Sequence, residues 1–334
     1  MDQEYITREL LSAIIDRYIH ETAADPGRAV RKLLDMAERT SDGPTQRICY
    51  QMMQQMAADQ ASPYYEMIHH LVMHTSPETV KQFGINLGHN AWTFGSGHVR
   101  QLTEDRGIPI SWAVMVDRSA ASGRIPFSSV ADLISRGREM DVYAWMIIAG
   151  DSLDEWEDYS DLFSQHKDSV FGLCIDPNIA DDRILDEMAE THNLMILVNS
   201  DEPDWQVFTE RLARKQCLFS VYRTVSSGED TEEILNGSWF EEIAPYHPLM
   251  AFTFTADDCP EEAAGQVERY MWQTRLDQDY PVLPSNLITD FLIISRLVSH
   301  KEVFYRVEAD GSVSIADKCT FRKSDLRCDD LFVP

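Results

Sequence analysis

The chain has 334 residues, 44% of them hydrophobic, enough to bury one large core or to divide between a small unit and a barrel-sized one. Its 56 acidic side chains outnumber 29 basic ones, giving a formal net charge of −27, so phosphate backbones and anionic membrane surfaces would be repelled over most of the molecule. The six cysteines (Cys49, Cys174, Cys217, Cys259, Cys319 and Cys328) are far apart and form no CxxC pair, which argues against a zinc ribbon or a disulfide scaffold and fits reduced cytosolic thiols.

The opening stretch "MDQEYITREL" is charged and lacks the apolar region of a secretion signal. No apolar run reaches membrane-spanning length, so a cytoplasmic protein is expected. The segments "YITRELLSAIIDRYI", "GRAVRKLLDMAER", "TQRICYQMMQQMAA" and "YYEMIHHLVMH" carry apolar residues at helical spacing. Pro26, Pro44, Pro63 and Pro77 fall between them, where a helix start loses nothing by a missing N–H. Residues 1–82 are therefore expected to form a helical domain. Within it, "HHLVMH" places His70 and His74 at i, i+4 beside His69, the spacing by which one helix face can present two imidazoles to zinc. No glutamate is placed as in HExxH, and the expectation is a buried or surface histidine cluster. "MMQQM" at 52–56 reads as helix packing. The glycine-rich stretch "GINLGHNAWTFGSGHVRQL" has neither a Walker lysine nor GxGxxG spacing, so residues 83–110 are expected to be a connector with tight turns.

From residue 111 short apolar runs alternate with amphipathic stretches, the pattern of repeated βα units on a parallel sheet. Six strands are expected: "SWAVMVD", "YAWMIIAG", "VFGLCID", "NLMILVNS", "CLFSVYR" and "LMAFTFT". Helices begin near Ser128, Asp154, Asp181, Asp204 and Thr231, and another covers roughly 260–278. Such units close into a partial barrel or lie in a doubly wound sheet; a (β/α)6 barrel over 111–280 is favoured. Residues 281–334 add a helix at "SNLITDFLIISRLV" and a hairpin at "VFYRVEADGSVSI".

In parallel α/β folds the loops that build a site leave the carboxyl ends of the strands. Those ends read Asp117-Arg118-Ser119, Gly150-Asp151, Asp176, Asn199-Ser200-Asp201, Tyr222-Arg223 and Thr255-Ala256-Asp257-Asp258. The candidate ligand-binding residues are Asp117, Asp151, Asp176, Asn199, Asp201, Arg223 and Asp257, and a divalent metal would draw on Asp117, Asp151 and Asp176. Three readings stand side by side. Converging carboxylates could hold a divalent cation or a cationic ligand; they could cap the following helices; or Arg118, Arg124 and Arg223 could neutralise the mouth internally. Cys174 and Cys217 lie in apolar strands and read as core thiols. No catalytic or cofactor-binding residue stands out.

The order of segments resembles the radical S-adenosylmethionine (SAM) proteins that carry a C-terminal SPASM-type extension. "IPISWAVMVDRS" is similar to the family's first barrel strand, "FSSVADLISRGREMDVYAWMIIAGDSL" to its following helix and second strand, "LFSVYR" to its fifth strand, and "VFYRVEADGSVSIADKC" to its hairpin. The resemblance implies a partial TIM-like (β/α)6 barrel with an N-terminal helical domain and a C-terminal hairpin extension. The departures are chemical. Between Asp117 and Phe127 there is no cysteine, so the CxxxCxxC loop that ligates a [4Fe-4S] cluster is absent. Where the family has GGEP, this chain has Ala149-Gly150-Asp151-Ser152, and Cys319 and Cys328 cannot supply a four-cysteine auxiliary site. Reductive cleavage of SAM needs iron with an open position, so neither cluster nor SAM is expected. The expected function is a pseudoenzyme that binds a peptide, small ligand or partner protein at an acidic barrel mouth, with no nucleic-acid or membrane partner. The alternatives are a divalent-metal-dependent enzyme using the strand-end aspartates, and a structural scaffold.

Overall fold

Proline sets the starts of the N-terminal helices. The computed structural model describes residues 3–40, 51, 53–107, 109–120, 122–151, 153–177, 180–226 and 228–332. Helices α2 (Pro26–Thr40), α3 (Pro63–His74) and α4 (Pro77–Ile85), which follow α1 (Gln3–Ala24), each begin on a proline. Ser62 caps α3 by accepting from the Tyr64 N–H at 3.2 Å. Of the segment between α2 and α3, residues 53–56 are helical, whereas Pro44 and Cys49 lie outside the described residues.

The stretch expected to be a connector is helical. A π-helix (Asn86–Gly95) continues into α5 (Ser96–Arg106), which ends at Gly107 with φ of 67°. The glycine and asparagine residues that suggested turns serve close packing instead. A Cβ on Gly95 would stand 2.5 Å from the Asp141 carbonyl and 2.7 Å from that of Asn90. The Asn86 amide donates to the carbonyls of Lys167 and Ser169, each at 2.8 Å, and the Asn90 amide to that of Asp168 at 2.7 Å. The segment is thereby stitched to the loop that leads into the third strand.

All six expected strands are present: β1 (Ala113–Asp117), β2 (Ala144–Gly150), β3 (Val170–Ile175), β4 (Leu194–Asn199), β5 (Phe219–Val225) and β6 (Met250–Thr255). Four more join them: β7 (Leu283–Asn286), β8 (Tyr305–Val307), β9 (Ser312–Asp317) and β10 (Thr320–Arg327). They form one sheet in the order β10-β9-β8-β1-β2-β3-β4-β5-β6-β7. The run from β8 to β7 is parallel, with β9 and β10 antiparallel at one edge. The parallel count is thus eight, not six. Strand β7 is four residues long and contains Pro284, and β8 is three residues long, so neither gives a strand signal by itself. The hairpin expected near residue 310 exists between β8 and β9, but its first arm also pairs with β1 and so belongs to the barrel sheet.

Helices α6 (Phe127–Glu139), α7 (Trp156–Gln165), α8 (Asp182–Ala189), α9 (Trp205–Arg214), α10 (Gly228–Leu235), α11 (Ser238–Ile243) and α12 (Glu261–Asp277) connect the strands, and α13 (Leu287–Ser299) follows β7. Strand alternation divides the core into two layers. Val114, Val116, Leu173, Val198 and Val221 pack outward with Val130, Leu133, Leu185 and Phe208 of the connecting helices. Met115, Met146, Cys174, Leu197, Tyr222 and Phe252 pack inward with Leu287, Ile288 and Leu292 of α13 and with Phe83 and Ala91. The result is a mixed α/β fold whose curled sheet makes a half-barrel. Its curvature brings Arg306 of β8 to 2.7 Å from Asp257, just past β6. Among the described residues no helix is long and apolar enough to cross a membrane.

Candidate functional site

The carboxyl ends of the parallel strands converge at the mouth of the half-barrel, and side-chain alternation decides which of their residues meet there. On the concave face stand Asp117, Asp176, Asn199 and Tyr222. Asp117 is half-buried and turns back on its own loop, accepting from the Ser119 N–H at 2.8 Å and the Ser119 hydroxyl at 2.7 Å. Asp176 accepts the Asn199 amide at 3.0 Å, and the Asn199 carbonyl accepts the Asp201 N–H at 3.1 Å. Beneath them lies the fully buried Cys174. Burial, with Asp117 and Asp176 adding to it, pushes this thiol well above its ordinary range. It is an inert core thiol.

Tyr222 is 5% exposed and stacks on Phe254 with ring centroids 4.7 Å apart and planes 17° apart. Burial, followed by Cys174, Asp176 and Asp201, raises its phenol far above the usual value. Its hydroxyl has no hydrogen-bond partner among the described residues. The mouth therefore presents two carboxylates, an amide and an aromatic pair topped by a hydroxyl, with the Arg306 guanidinium of β8 on the same face held by Asp257 and Glu308.

The other sequence candidates are engaged with partners of their own or turned to solvent. Arg223 points to the convex face, where its Nε donates to Asp201 at 2.6 Å and its NH1 nitrogen to Glu233 at 2.5 Å. Burial works against this guanidinium, but Asp201 and Glu233 outweigh it and raise its pKa. Asp201 also accepts the Thr224 N–H at 2.9 Å, so it serves the β4–β5 edge and not the concave face. Asp151 is exposed, carried past the strand by the left-handed Gly150 (φ 65°), which stands against Ser119. Asp257 is bound by Arg306, which also donates to Glu308 at 2.9 Å. Burial disfavours the Arg306 charge, yet Asp257 and Glu308 hold its pKa above the ordinary value.

Internal neutralisation is thus present, by a partly different set of cations than the sequence suggested. Arg118 and Arg124 both reach Glu155, at 2.6 and 3.3 Å, and neither reaches a strand-end aspartate. The helix after β3 is capped by Asp181, which accepts the Ile184 N–H at 2.8 Å, whereas Asp117, Asp151, Asp176, Asp201 and Asp257 are not the N-caps of the helices that follow them among the described residues. The role of Arg306 is hidden in the sequence, because its partner is 49 residues away. Tyr222 was legible in principle: counting in twos along β5 places Leu218, Ser220 and Tyr222 on one face and Arg223 on the other.

Among the described residues no three His, Cys, Asp or Glu side chains are placed to hold a metal ion. Cys174, Cys217, Cys259, Cys319 and Cys328 are buried, form no disulfide among the described residues and are dispersed through the fold, and the β1–α6 loop contains no thiol. The residues present do not fit an iron–sulfur cluster. The histidine cluster is real: His70 stacks on His74 at 4.2 Å and, unexpectedly, on His247 at 4.0 Å. It lies at the amino-terminal end of the barrel, away from the mouth.

No protein-family model matches the sequence, and no curated protein does. Among solved structures, the chain is similar to the carboxyl transferase domain of Rhizobium etli pyruvate carboxylase with 3-bromopyruvate. The identity is 9%, over 65% of this chain and 44% of that one, with a TM-score of 0.32. The same domain with pyruvate and biocytin gives 10% identity over 80% and 56% of the two chains at a TM-score of 0.31. The complete multifunctional Rhizobium etli pyruvate carboxylase gives 9% over 72% and 28%, also at 0.31. The chain spans less than half the length of the first of these, and likeness of this size says nothing about activity.

Proposed function

We propose that the protein is a radical-SAM-like half-barrel without an iron–sulfur cluster, which binds the ammonium or guanidinium group of a peptide at its acidic mouth. The single observation that supports this reading is Tyr222. A nearly buried phenol, stacked on Phe254 and lacking a partner for its hydroxyl, stands beside the Asp176–Asn199 pair. A cation entering there gains a carboxylate, a hydrogen-bond acceptor and aromatic faces at once. The surplus of acidic groups over the whole chain would attract such a ligand from a distance.

The test is calorimetric titration of a short arginine-containing peptide into the full chain at physiological salt. Saturable binding is expected, weakened by about tenfold or more when Asp117→Asn and Asp176→Asn are combined, since a charge-assisted hydrogen bond contributes about 1.5–3 kcal/mol. A control with the same change in charge on α5, Glu104→Gln with Asp105→Asn, should leave the affinity unchanged. Equal affinity in the mouth variant and the wild type would refute the proposal.

A further inference from the structure

The stacked histidines join two parts of the molecule that are remote in sequence. His70 and His74 lie on α3, while His247 lies in the loop before β6 with a left-handed backbone, φ 53°. Together with Cys217, Phe219 and Leu249 they line a narrow cleft between α3 and the base of the barrel. The His74, His70 and His247 rings form a continuous stack, with interplanar angles of 25° and 13°. The Nδ1 of His247 is buried and has no hydrogen-bond partner.

Neutral imidazoles can stack in this way. A charge on the central ring would face two further rings across about the same 4 Å, with no carboxylate in the stack to offset it. The groups around His70 are His69 and His74 on its own helix, the exposed Glu66 four residues earlier, and Cys217 and His247 across the cleft. On α9 and at its end, Arg211 pairs with Asp182 at 3.1 Å and Lys215 with Asp186. Uncharged contacts complete the docking of α3: the Tyr64 hydroxyl donates to the Arg275 carbonyl at 3.0 Å, and the Ser76 N–H to that of Gln216 at 3.0 Å.

We propose that the His74–His70–His247 stack is an acid-sensitive latch, holding α3 on the barrel base while the central His70 imidazole is neutral and releasing it when that ring gains a proton. Burial, followed by His247, His74 and His69, lowers the His70 pKa from its ordinary 6.5 to about 4. The docked form therefore binds fewer protons than the undocked one. Docking is at full strength above pH 6.5 and weakens as the pH falls towards 4.

Cys217 reports the opening, because it is 4% exposed and lines the cleft; the fully buried Cys174 reports global unfolding. The full chain is labelled with a dipyridyl disulfide, which stays reactive in acid, and the sites are read by mass spectrometry. Between pH 6.5 and 4 the labelling of Cys217 should accelerate by up to about tenfold per pH unit, the limit for one proton, while Cys174 remains protected. His70→Phe keeps a ring in the stack without its proton, and should flatten this response. His247→Asn, which tolerates the left-handed backbone, removes a ring facing His70 and should weaken the response, and it decides the matter if the first variant does not fold. A flat response in the wild type, parallel labelling of Cys217 and Cys174, or an unchanged acid response in a folded variant would overturn the latch.

Discussion

Replacing Arg118 by alanine is expected to lower the unfolding free energy by about 3 kcal/mol, read as a fall in the urea midpoint at unchanged slope. Arg118 follows the last residue of β1 and is 1% exposed, the only charged side chain among the largest fully buried ones of the described residues. It donates to the Tyr159 hydroxyl at 3.1 Å and to Glu155 at 2.6 Å, and its guanidinium lies 5.1 Å from the Phe127 ring centroid. It thus ties the starts of α6 and α7 to the end of β1. Glu155 is one-third exposed and keeps Arg124 as a partner, so the larger part of the loss comes from the emptied volume and the abandoned Tyr159 hydroxyl. Arg118→Met restores most of that volume and should cost clearly less, because filling a buried ion-pair site with a matched apolar group is often close to neutral. Equal losses for the two variants would mean that charge, and not packing, dominates at this position.

Trp239→Ala should cost a comparable amount, about 3–5 kcal/mol, and should also weaken the mouth. Trp239 is 1% exposed on α11, and its Nε1 donates to the Ser200 hydroxyl at 3.0 Å. That hydroxyl donates in turn to the Tyr222 carbonyl at 3.0 Å, so the indole braces the strand that carries the phenol. The Arg223 guanidinium rests over the same ring at 5.7 Å. Trp239→Phe preserves most of the apolar burial while removing the N–H, and should recover most of the stability but only part of the peptide affinity. Chemical denaturation measures the first effect and calorimetry the second.

The sequence made the six central strands legible because each is an apolar run, and four of them are closed by Asp, Asn or Gly. It concealed β7 and β8, which are short and exist as strands by virtue of their neighbours: β7 lies beside β6, and β8 beside β1. The glycines and asparagines of residues 84–97 misled for a different reason. Residues that favour turns in isolation also permit close backbone approach, and Gly95 is used in that second way. At the site, Asp117, Asp176 and Asn199 could be placed at strand ends, but their company could not. Asp201 and Arg223 turned to the convex face, and Asp257 found Arg306 on a distant strand. The histidine stack shows the same limit, since His70 and His74 are visible as a helical pair while His247 joins them only through the fold.

The central claim is that the barrel mouth receives a cation beside Tyr222. It is tested most directly by NMR of the full chain with labelled tyrosine rings, titrated with an arginine-containing peptide and assigned by Tyr222→Phe. The Tyr222 ring resonances should shift saturably along the calorimetric isotherm, and the shift should vanish in Asp117→Asn/Asp176→Asn. Saturable peptide binding with the Tyr222 resonances unmoved would place the ligand elsewhere and contradict the account.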